Sequence, residues 1–150
     1  MAIPAIPRSP RTGLPLIPKG AGRRTCRCDD AAPALLLTGI AQFNSGDYWE
    51  CHETLEELWR GESDAVRYLY QGILLAGVGL LHLRRGNRRG ALSKLRAAMS
   101  RLEPYAPVCM GVDVAGLRAD LLRLITHLDE LDAAAPVSLD PALTPRISSQ

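Results

Sequence analysis

From Ala34 onward the apolar residues recur at the three- and four-residue spacing of helices, and no stretch shows the in-out alternation of a strand. The pattern predicts an all-α fold, a compact bundle of about five helices. A first helix runs from about Ala34 to Ser45 and stops at Gly46, since glycine accepts the left-handed conformation that a helix end needs. Asp47 starts a second helix that ends at Gly61, and Glu50 three residues later makes an Asp-x-x-Glu capping box. A third opens near Ser63 and Asp64 and runs to Arg85; Ile73 to Leu83 is apolar nearly all round, which places it at the centre of the bundle. Asn87 caps a fourth, which lasts to about Leu102, before Pro104 and Pro107. The fifth spans about Asp113 to Asp132, with Leu117, Leu121, Leu124, Ile125, Leu128 and Leu131 in one stripe.

The pattern repeats at an offset of 40 residues: Gly39 with Gly79, Gly46 with Gly86, Asp47 with Asn87, Leu55 with Leu95, Trp59 with Met99. Each copy is a helix, a Gly-Asp or Gly-Asn turn and a second helix, much like a tetratricopeptide unit. His52 and Glu56 of the first copy are Leu92 and Arg96 in the second, so the architecture does not itself require a histidine and a glutamate there.

Prolines divide the chain into residues 1–33 as a Pro/Arg-rich flexible arm, 34–133 as the helical domain and 134–150 as a flexible tail. The net charge of +2 is too small to argue for nucleic acid, and the basic character is concentrated in the arm. An apolar stretch as short as Ile73 to Leu83 cannot cross a bilayer, which takes about 20 residues. Cys26, Cys28, Cys51 and Cys109 lack zinc-ribbon or thioredoxin spacing, so reduced thiols and a cytoplasmic location are expected. Cys26-x-Cys28 lacks the second pair a soft-metal site needs. The run Arg84 to Gly90 around a helix start could hold a phosphate, but compensation of helix-end dipoles is the plainer reading. No P-loop, dinucleotide fingerprint, serine elbow or HExxH is present.

The candidate chemistry lies on the second helix. On a wheel of about 100° per residue, Tyr48, Leu55 and Trp59 flank His52 on an apolar face, and Glu56 follows one turn later. A His and a Glu at i, i+4 reach each other or one metal ion, and Glu53 sits where a second carboxylate could swing in. In an antiparallel hairpin about Gly61, His52 would look toward Gln71, which shares a face of the third helix with Tyr68, Leu75, Val78 and His82.

The run Phe43-Asn44-Ser45-Gly46-Asp47-Tyr48-Trp49-Glu50-Cys51-His52-Glu53-Thr54-Leu55-Glu56-Glu57-Leu58-Trp59 resembles the signature of domain of unknown function family 309, and Tyr70-Gln71-Gly72 to His82 resembles its second block. The resemblance covers about residues 38–102 and implies a small helical protein, sometimes labelled a metal-dependent hydrolase, with Glu50, His52, Glu53, Glu56, Gln71 and His82 as its site. Two functions are therefore expected to compete. In the first, His52 and Glu56 hold a divalent ion (Zn, Mn, Fe or Ni), Glu53 or Glu56 takes a proton, and Gln71, Tyr68 and Trp49 support substrate. In the second, the hairpins form an interaction module for a small molecule, a peptide or a second copy in a homodimer, with His52, Glu56 and Gln71 as a polar core.

Overall fold

The structure is a computed structural model and describes residues 22–150. The prolines and basic residues of the arm before residue 22 lie outside the described residues. Five helices follow one another: α1 (Ala34–Asn44), α2 (Tyr48–Gly61), α3 (Arg67–Arg84), α4 (Arg88–Leu102) and α5 (Val114–Glu130). The all-α expectation holds, apart from a two-stranded antiparallel hairpin of β1 (Val108–Cys109) and β2 (Val112–Asp113). Its turn, Met110-Gly111, has positive φ at both residues, the conformation that matches the twist of a tight hairpin.

The repeat is visible in the contacts. Gly46 and Gly86 have φ of 79° and 76°. After each, the next amide reaches back across the turn, Asp47 N to the Gln42 carbonyl at 2.9 Å and Asn87 N to the His82 carbonyl at 2.8 Å. A Cβ on Gly39 would meet Leu55 at 2.6 Å and one on Gly79 would meet Leu95 at 2.8 Å, so both hairpins close by seating a leucine on a glycine. The caps differ. Asn87 accepts from Gly90 N at 2.9 Å, whereas the Asp47 side chain makes no cap hydrogen bond and the expected capping box does not form.

Helix α3 begins at Arg67, later than its sequence suggests, because Asp64 Oδ1 accepts from Val66 N at 2.8 Å and holds residues 62–66 as an irregular link. Its residues from Tyr68 to Gly77 are all buried, and it packs between α2 and α4 at the centre of the molecule. Core residues on every helix, among them Phe43, Leu55, Trp59, Leu80, Leu95, Leu121 and Leu128, join one apolar cluster.

Two segments read as loose from their prolines make contacts that their composition does not announce. Cys28 is joined to Cys109, so the expectation of four reduced thiols is corrected: the fold brings residues 81 apart to a Cα–Cα distance of 4.3 Å, leaving Cys26 and Cys51 free. The Cys26-x-Cys28 pair is thereby unavailable to a metal. At the other end, Asn44 clasps Ile147 through Nδ2 to its carbonyl and Oδ1 from its amide, both 2.8 Å, and Ile147 is buried. Gln150 N donates to the Gly111 carbonyl at 2.9 Å.

Candidate functional site

His52 and Glu56 leave α2 one turn apart, and their Nε2 and Oε2 atoms lie 3.5 Å from each other. With side chains 18% and 16% exposed, both are largely buried and sit at the border of the core. Glu56 has a second partner: Arg60, one turn further, binds its Oε1. Glu56 is thus neutralised without His52. The His52 ring lies 5.6 Å from that of Trp49, which is 51% exposed, and its buried Nδ1 has no hydrogen-bond partner. Glu50 and Glu53 are exposed on the outer side of α2, so Glu53 does not join the pair.

Among the described residues no three His, Cys, Asp or Glu side chains come together as metal ligands. A catalytic zinc takes three protein ligands, and a pair in which one carboxylate oxygen is already held by an arginine does not fit that requirement. We derive no step through a metal at this position. Cys51 beside the pair is no nucleophile either, since burial pushes its thiol up to about 12.

The register between α2 and α3 is set by Trp59 against Tyr68, ring centroids 5.2 Å apart, and by Gly77, whose Cβ position lies 3.7 Å from Cys51 Sγ. Stepping along both helices from these contacts puts Gln71 level with Glu56 and puts His52 level with Leu75. The expectation that His52 faces Gln71 is off by about one turn, the consequence of the late start of α3. Gln71 is 7% exposed and its Oε1 has no partner; Trp59 is 1% exposed and its Nε1 has none. Arg67 crosses the Trp59 ring 4.1 Å from its centroid and donates to the Trp59 carbonyl at 3.3 Å.

On α3 the stripe Tyr68, Gln71, Leu75, Val78 and His82 runs between two edges. One is the His52, Glu56 and Trp59 edge of α2. The other is the Gly90, Lys94, Ala97 and Arg101 stripe of α4, which approaches at Gly72, whose Cβ position is 3.5 Å from Arg101 Cβ, and at Gly90, whose Cβ position is 2.9 Å from His82 Nδ1. This α4 edge was missed in the sequence, although its i, i+4, i+7, i+11 spacing is legible there.

His82 has a structural task. Asn87 Oδ1 is committed to Gly90 N, so its Nδ2 donates to His82 Nδ1 at 3.1 Å and needs that nitrogen unprotonated. Burial, then Lys94 and Arg85, hold His82 below its ordinary 6.5. The unfolded chain therefore takes up a proton as pH falls through 6.5 while the folded chain does not, and stability present above that pH is lost below it. Urea unfolding of His82→Gln should show a shallower loss below pH 6.5 than the parent; equal slopes would refute this account.

The chain is similar to two uncharacterised proteins. It is 23% identical over 117 residues to one from Aquifex aeolicus (strain VF5), across 77% of this chain and 33% of that protein. It is 46% identical over 61 residues to the uncharacterized protein YpuF of Bacillus subtilis (strain 168), across 39% of this chain and 35% of YpuF. The chain spans about a third of the length of these relatives. Residues 36–93, which hold His52, Glu56, Gln71 and His82, match the family model described as Domain of unknown function (DUF309).

Proposed function

We propose that the domain is a binding module whose α2–α3–α4 groove takes an extended peptide segment. The observation that carries this reading is the set of buried polar atoms left without partners along the groove: Trp59 Nε1, Gln71 Oε1 and His52 Nδ1. Each unpaired buried group costs about 1 to 3 kcal/mol, a cost removed when a ligand supplies the partner. An indole donor and an amide acceptor complement the carbonyl and N–H of a peptide unit. Trp49 at the rim offers the exposed aromatic anchor on which such interfaces depend. On this reading the two repeated hairpins act as a tetratricopeptide-like scaffold for the peptide.

No described helix is long and apolar enough to cross a membrane, and the Cys28–Cys109 bond removes the reduced-thiol argument for a cytoplasmic location. Selection of a random peptide display library against the intact chain tests the peptide-binding reading. Enriched peptides should bind at micromolar Kd, about tenfold more weakly to Trp49→Ala and to Gln71→Ala. His52→Ala should weaken them while costing under about 1 kcal/mol of stability, since Glu56 keeps Arg60. No enrichment, together with a one-to-one calorimetric titration by Zn, Mn, Fe or Ni that His52→Ala abolishes, would replace the module by the metal-dependent hydrolase. Sedimentation showing a dimer that Trp49→Ala dissociates would make the occupant a second copy of the chain.

A further inference from the structure

We propose that a second site, on the far side of α3, binds a phosphate-bearing small molecule through Arg84 and Arg146. A cleft of about 560 Å³ opens there between the α1–α2 turn, the end of α3 and residues 138–146, a volume within the range of small-molecule sites. Arg84 leaves α3 about 140° round from Gln71, so this cleft is separate from the groove above.

Both guanidinium groups are brought to one place by the same turn. Arg84 Nη1 donates to the Gly46 carbonyl at 2.8 Å and the group lies over the Tyr48 ring, 4.7 Å from its centroid. Arg146 Nη1 donates to the Asn44 carbonyl at 3.4 Å. The two accepting carbonyls are only two residues apart, and both arginines line the cleft. Neither pairs with a carboxylate among the described residues. Two guanidinium groups are therefore anchored on one turn without a carboxylate partner, each with N–H donors left over after its single carbonyl bond.

The fold fixes this arrangement and does not leave it to chance. The Asn44–Ile147 clasp and a bond from Arg146 N to Asp120 Oδ2 at 3.2 Å lock the backbone on either side of Arg146, while its side chain stays exposed and packs no core. Planar guanidinium forks match phosphate oxygens in pairs. Ser45 and Thr144 add hydroxyls to the lining, and the Thr144 hydroxyl keeps acceptor capacity after donating to the Asp140 carbonyl at 2.8 Å. Tyr48 and Leu139 add an apolar wall, which together with the volume suits an organic phosphate better than the bare ion.

Calorimetry and thermal unfolding with phenyl phosphate and inorganic phosphate, against sodium chloride at matched ionic strength, test the site. Phenyl phosphate should bind one to one and raise Tm, inorganic phosphate should bind more weakly, and chloride should do neither. Arg146→Gln should keep the helical content and Tm of the parent and bind phenyl phosphate about tenfold more weakly, the loss expected for a charge-assisted hydrogen bond. Arg84→Lys, which keeps the charge without the fork, should also weaken it. No saturable heat from either phosphate, equal protection by chloride, or an Arg146→Gln variant that binds like the parent would overturn the proposal.

Discussion

Reduction of the Cys28–Cys109 bond should lower the unfolding free energy by on the order of 4 kcal/mol. The bond closes a loop across a sequence separation of 81 that contains α1 to α4, and cross-links of that span act mainly by restricting the unfolded chain. The folded segment keeps other ties. Arg24 Nη1 donates to the Tyr105 carbonyl at 2.9 Å, Thr25 Oγ1 to Asp64 at 2.8 Å, and Arg27 pairs with Glu62 at 2.8 Å. Guanidinium unfolding of the oxidised chain, the reduced chain and a Cys28→Ser/Cys109→Ser variant should therefore give equal helical content at zero denaturant. The last two should share a lower midpoint. Coincident midpoints for all three would refute the expectation. In a reducing compartment this bond is the group that opens, which ties the stability of the domain to its redox surroundings.

Trp59→Ala should cost about 3 to 5 kcal/mol, as removal of a buried large aromatic side chain does. Trp59 is 1% exposed, stands edge-on to Tyr68 and lies beneath the Arg67 guanidinium, so truncation leaves a cavity at the joint between α2 and α3. Trp49→Ala, on the same helix but 51% exposed, should change stability by less than about 0.5 kcal/mol. Chemical unfolding of both variants checks the contrast, and the intact protein should emit at a wavelength between those of a buried and a solvated indole. Similar costs for the two would mean that the packing around Trp59 is misread.

The sequence alone determined what depends on neighbours along the chain. Apolar spacing marked five helices, because one face of each must meet the core every third or fourth residue. Gly46 and Gly86 marked the two helix stops, since a left-handed turn favours a residue without a side chain. The pairs Gly39 with Leu55 and Gly79 with Leu95 were legible as a repeat before their contacts were seen. The His52–Glu56 approach followed from an i, i+4 spacing; the Glu56–Arg60 pair has the same spacing but was not anticipated.

The tertiary structure decided whatever depends on how separate elements meet. The start of α3 rests on Asp64 holding the irregular link, and a shift of one turn there moved Gln71 from the level of His52 to that of Glu56. The union of Cys28 with Cys109 and the clasp of Asn44 on Ile147 join residues far apart in the chain, and no local periodicity records them. The cleft of Arg84 and Arg146 is of the same kind. Each arginine reads in the sequence as one more basic residue among many, and only the folding of residues 138–146 back over the α1–α2 turn sets both in one cleft, because backbone hydrogen bonds to distant partners fix where their side chains begin.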